Sequence, residues 1–90
     1  MKVKQTLLFQ ALGDETIVVP VGEASQALHG ILRVNATGAA IIQGFVDGLD
    51  EETVAALLVD RFDGVDIDKA RRAVRETAEK LRIAGLVEEE

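Results

Sequence analysis

The chain has no cysteine, tryptophan or tyrosine, and only one proline, one histidine and three phenylalanines among its 90 residues. Without cysteine there is no disulfide framework, no thiolate metal site and no thiol nucleophile. The one histidine, His29, has no sequence-local partner for acid–base or metal chemistry, so it reads as a solvent-facing or peptide-contacting strand residue. Ser25 lies in a connector without a nucleophile-elbow sequence and carries no catalytic weight. The eight glycines are scattered rather than gathered into a phosphate loop, which leaves nucleotide binding without support. The acids between Asp47 and Glu52 lack the alternating ligand pattern of an EF-hand and suit helix capping and solubility instead. No cofactor and no metal are expected. Long apolar runs are missing as well: Leu7-Leu8-Phe9 is far too short for a signal peptide or a membrane span. The expectation is a cytoplasmic protein without catalysis of its own and without a membrane partner.

What is present is a hydrophobic fraction of 48% in a short chain, enough for one modest core and too little for two. Residues 1–90 are therefore read as one domain. The formal charge of −6 is unevenly spread. Residues 35–68 hold eight acids (Asp47, Asp50, Glu51, Glu52, Asp60, Asp63, Asp66, Asp68) against the single base Arg61. From residue 69 onward come the six bases Lys69, Arg71, Arg72, Arg75, Lys80 and Arg82. A basic helix thus follows an acidic region.

Residues 3–12 alternate imperfectly and run into the turn signal Gly13-Asp14, and the β-branched segment from Glu15 to Val19 returns as the second strand of a hairpin. Pro20 lacks an N–H donor and belongs at a strand end or edge. Leu28 to Val34 forms a third strand, with Gly30 inside it marking close approach of another backbone. At Asn35 the period changes from 2 to 3.6, and Asn35 suits the N-cap of a helix over residues 36–46. Gly38 and Gly44 weaken that helix, so packing must hold it. Asp50 opens a second helix with Val54, Leu57, Leu58 and Phe62 on its apolar face, and Gly64 closes it. Asp66 caps a longer third helix that buries Ile67, Ala70, Val74, Ala78 and Leu81. Gly85 is placed for a left-handed C-cap, after which Leu86-Val87 folds back. The order predicts an α+β fold: a small three-stranded antiparallel sheet followed by three helices.

The stretches VVPVGE (18–23), LHGILRVNATGAAII (28–42), DEETVAALL (50–58) and LRIAGL (81–86) resemble the PqqD family, the coenzyme PQQ synthesis protein D group with its wider set of recognition elements for ribosomally made peptides. The strand-ending glycine and the Asn-x-Thr-Gly entry into a helix carry most of the specificity. The resemblance implies a winged-helix-like fold that binds the leader of a precursor peptide. The leader adds as a fourth strand along the third strand and against the third helix. Carried onto this sequence, one wall of that groove is Leu28, His29, Gly30, Ile31, Leu32, Arg33 and Val34. The other is Ala70, Arg71, Val74, Arg75 and Ala78, with the arginines placed to receive leader acids. The resemblance also implies that the chemistry belongs to a partner, a radical SAM or other peptide-modifying enzyme. The connection from Gly22 to Ala27 is longer than in the PQQ-pathway protein itself, and Gln43 stands where a tryptophan often occurs. A standalone recognition element for another peptide fits these departures. The competing reading is a winged-helix nucleic-acid binder. A net charge of −6, an acidic second helix and only three aromatics oppose it, because duplex binding rests on neutralising phosphates.

Overall fold

The computed structural model describes residues 2–3, 7–20, 32–85 and 87–88. Four strands come first: β1 (Lys2–Val3), β2 (Leu7–Leu12), β3 (Glu15–Pro20) and β4 (Leu32–Asn35). Three helices follow, α1 (Ala36–Val46), α2 (Glu51–Arg61) and α3 (Ile67–Ile83), and then β5 (Val87–Glu88). β2, β3 and β4 form an open antiparallel sheet in that order, as the sequence predicts, while β1 pairs separately with β5.

The β2–β3 hairpin closes on Leu12 opposite Glu15. Gly13 has φ 61° and Asp14 stays at negative φ, the pattern of a type II′ turn with glycine at its first central position. The cross-strand register places Leu7, Phe9, Val18, Leu32 and Val34 on one face of the sheet, and Leu8, Leu12, Ile17 and Arg33 on the other. The first face meets the core, where Leu7, Val18 and Val34 join Ile41, Ile42 and Phe45 of α1, Val54 and Leu58 of α2, and Val74 and Leu81 of α3.

Each helix begins on a side-chain cap. Asn35, Asp50 and Asp66 accept hydrogen bonds from the backbone N–H groups of Gly38, Thr53 and Lys69, each at 2.8 Å. The part-buried Asn35 cap contributes about 0.5–2 kcal/mol. The Asp50 carboxyl is held below its ordinary value, first by the side-chain hydrogen bond with Thr53 and then by the Thr53 N–H. Its capping contribution is therefore complete above the unfolded-state value of 3.8 and is lost as pH falls through the lower folded one.

The two helix-weakening glycines sit at close contacts. A Cβ on Gly38 would lie 2.9 Å from the Cβ of Val34, and one on Gly44 would lie 2.8 Å from Cγ2 of Val54. Gly38 lets the first turn of α1 rest on β4, and Gly44 lets α2 pack against α1. Gly38→Ala is expected to lower stability by about 1–2 kcal/mol in urea denaturation, because Val34 is stiff and its Cβ is fixed to the strand. A gain in stability, as helix propensity alone would give, would refute this account of the contact.

Four details differ from the sequence reading. The strand expected over residues 3–12 is divided, since the chain turns back after Gly85 (φ 74°), buries Val87 and so gives Lys2–Val3 a separate partner. Leu57 is exposed while Ala55 is buried, because the close α1–α2 contact at Gly44 favours small and β-branched residues on α2. Ile67 also lies at the surface, and Phe62 caps α2 in an extended conformation instead of continuing it.

Candidate functional site

The hairpin register fixes which way the strand amides point. In a two-residue hairpin the closing residues exchange hydrogen bonds, so Leu12 and Glu15 bond to each other and the pattern alternates from there. Thr16 and Val18 therefore direct their backbone groups toward β4, where they meet Val34 and Leu32. Arg33, lying between them, directs its N–H and C=O away from β3. Among the described residues no strand pairs with that side of β4. An open row of backbone donors and acceptors is a template for a further strand.

Beside this edge lies α3, separated from it by a groove of about 310 Å³. Val34 and Arg33 of β4, Thr37, Gly38 and Ile41 of α1, and Ala73 and Thr77 of α3 line it, with Glu15, Glu76 and Lys80 also on its walls. Val34, Gly38, Ile41 and Thr77 are buried, while Arg33, Glu76 and Lys80 are exposed. Arg33 is 3.3 Å from Glu15, a solvent-exposed pair of small energetic weight. Glu76 and Lys80 are one helical turn apart, yet among the described residues neither has an ion-pair partner. Both charges are available to an occupant of the groove. No cluster of potential metal ligands occurs among the described residues.

The residues singled out from sequence do not all meet at the groove. Leu28, His29, Gly30 and Ile31 lie outside the described residues. Leu32 and Val34 turn to the inner face of the sheet, and Arg33 stands at the groove. Ala70, Val74 and Ala78 are packed in the core. Arg71 reaches toward α2, where its Nε lies 3.1 Å from Glu52, and it also approaches Asp68 in the first turn of α3. Arg75 stands on the same flank, beside Glu51, Glu52 and Arg71. The flank of α3 that meets the groove is instead Ala73, Glu76, Thr77 and Lys80.

An apolar stripe has two flanks, and only packing decides which one faces the sheet. Charge density pointed to the arginine flank, and α2 neutralises it. The informative signal was side-chain size: Ala73 and Thr77, one turn apart, are short residues on a helix otherwise dressed in long charged ones.

A three-stranded antiparallel sheet, three helices and, among the described residues, an open sheet edge beside the last helix define a winged-helix-like α+β fold. The family described as Coenzyme PQQ synthesis protein D (PqqD) matches residues 14–87, and the chain belongs to that family. Two solved structures share the fold. TbiB1 in complex with the TbiA(beta) leader peptide has a TM-score of 0.73 at 18% sequence identity, covering 100% of this chain and 98% of that one. Lasso peptide synthetase B1 complexed with the leader peptide has a TM-score of 0.70, also at 18% identity, covering 98% of this chain and 96% of that one. Among curated proteins no sequence match was found.

Proposed function

We propose that this chain is a non-catalytic, cytoplasmic recognition domain that captures the leader of a ribosomally made precursor peptide and presents it to a separate modifying enzyme, such as a radical SAM protein. The leader adds as a strand to the open edge of β4, continuing along Leu28 to Val34, and rests against α3. The observation that carries this reading is the groove between the outward-facing backbone of Arg33 and the Ala73–Lys80 flank of α3. Membership of the PqqD family supports it, as do two fold neighbours whose own complexes contain leader peptides. Backbone ladder bonds supply affinity in strand addition, and side-chain pockets supply selectivity. No described helix is long and apolar enough to cross a membrane.

The test is a titration of ¹⁵N-labelled protein with the leader of a precursor encoded beside this gene. The largest amide shifts are expected on residues 28–35 and 73–80. Shifts confined to the acidic α2, with residues 28–35 unmoved, would remove the groove from consideration.

Electrostatics gives a sharper expectation. With an acidic leader, Lys80→Glu should weaken binding several-fold at 50 mM salt, and the loss should shrink at 500 mM as the Debye length contracts. Arg75→Glu should leave affinity within about twofold, because Arg75 lies on the α2 flank, and exposed substitutions rarely cost more than about 0.5 kcal/mol. Fluorescence anisotropy distinguishes the two. A larger loss from Arg75→Glu would return the site to the arginine flank. Duplex DNA should bind weakly at physiological salt, since eight acids between residues 35 and 68 repel phosphates. Tight, sequence-selective retardation in a shift assay would favour the winged-helix alternative.

A further inference from the structure

The opposite edge of the sheet has the stronger unexplained feature. β2 (Leu7–Leu12) carries no charged side chain and no proline, and among the described residues its outer edge pairs with no strand. Natural edge strands are usually blunted by charge, proline, bulges or a covering element. Here Leu8 and Leu12 remain 58% and 51% exposed on the outer face of the sheet. Beside the inner face of β2 runs an open cleft of about 450 Å³ with Phe9, Ala11, Ala36, Ala39, Ala40 and Phe62 on its walls, and Thr16, Gln43 and Arg61 beside them.

We propose that this edge joins a second copy of the chain, β2 against β2 in antiparallel register about Gln10. The hairpin alternation that turns Leu8, Gln10 and Leu12 toward β3 turns the backbone groups of Phe9 and Ala11 outward. Only registers that set odd residues opposite odd ones let both copies bond. With Gln10 opposite Gln10, Leu8 of each copy lies across from Leu12 of the other, and Phe9 lies across from Ala11. The exposed leucines then cover each other on the outer face. On the inner face, Phe9 of the second copy enters over Ala11 into the alanine-lined cleft, and the exchange is reciprocal. Centring on Phe9 or Ala11 instead loses the leucine pairing.

Charge explains why a second copy fits here despite a net charge of −6 on each chain. The paired segment is uncharged, and antiparallel pairing sends the two Asp14-Glu15 turns to opposite ends. Eight residues at about 3.4 Å each place those turns roughly 27 Å apart, well beyond a Debye length of about 8–10 Å. Dimerisation at β2 leaves both β4 grooves free at the outer edges of a six-stranded sheet. It is independent of the leader reading.

The absence of cysteine makes the test clean. Opposed residues of a non-hydrogen-bonded antiparallel pair stand about 4.5 Å apart at Cα, within disulfide range. Gln10→Cys should oxidise quickly to a covalent dimer, while an exposed control, Asp60→Cys, should not. Sedimentation equilibrium of the unmodified protein should give twice the 9.7 kDa chain mass. Leu8→Lys should raise the dimer dissociation constant at least tenfold without changing the circular dichroism spectrum. A mass of one chain at several hundred micromolar, or no excess of Gln10→Cys dimer over the control, would overturn the proposal. So would a monomer in which Leu8→Lys abolishes binding of the modifying enzyme, since the edge would then belong to that enzyme.

Discussion

Arg33→Pro is expected to lower affinity for the leader about fivefold or more while leaving the fold intact. The β3 register turns the Arg33 N–H away from the sheet, so proline removes a donor that the domain itself does not use. An edge position of this kind is where strands tolerate proline, and the preceding Leu32 is already extended. The bound leader, by contrast, loses a ladder partner and keeps an unsatisfied carbonyl against the groove, a cost of about 1–3 kcal/mol. That range corresponds to roughly fivefold to more than a hundredfold in affinity. Arg33→Ala is the necessary companion. It removes the same side chain and the exposed pair with Glu15, which together contribute no more than about 1 kcal/mol, but keeps the amide. Calorimetric titration of both variants separates backbone from side-chain recognition. Equal losses would mean that the leader does not add as a strand.

The contrast between what sequence showed and what it hid follows from where each property is decided. The change of period at Asn35, the three N-caps and the glycine at the hairpin turn are local, and each appears where the chain predicts it. Of the strand wall expected over Leu28 to Val34, Arg33 and Val34 line the groove just ahead of a capped helix, and Leu28 to Ile31 lie outside the described residues. The α3 wall was not legible. Its core stripe of Ala70, Val74, Ala78 and Leu81 is clear from spacing, but whether Arg71 or Ala73 faces β4 depends on how α2 packs. Glu52, nineteen residues away from Arg71, meets its guanidinium on the α2 side, an exposed pair that follows from this packing rather than deciding it. The β1–β5 pair escaped for a related reason: it joins two-residue segments from opposite ends of the sequence, too short for any periodicity to register.

The same central helix that ends the groove also holds the core together, and this sets the largest expected effect on stability. Phe45 is the largest of the fully buried side chains and lies on α1, which packs against α2, α3, β3 and β4. Phe45→Ala is expected to cost about 3–5 kcal/mol, the sum of lost transfer energy and a cavity that stiff neighbours cannot collapse. At roughly 0.05–0.15 kcal/mol per residue, 90 residues have about 5–13 kcal/mol to lose, so the variant should remain folded only marginally. The urea midpoint should fall sharply with an unchanged slope, as expected when stability changes but the exposed surface does not. Phe45 does not line the groove, so the folded fraction should still bind leader. At a free leader concentration one hundred times the dissociation constant, linkage returns about 2.7 kcal/mol and should move the midpoint most of the way back. If saturating leader leaves the midpoint where it was, Phe45 shapes the groove as well as the core, and the separation of the two roles fails.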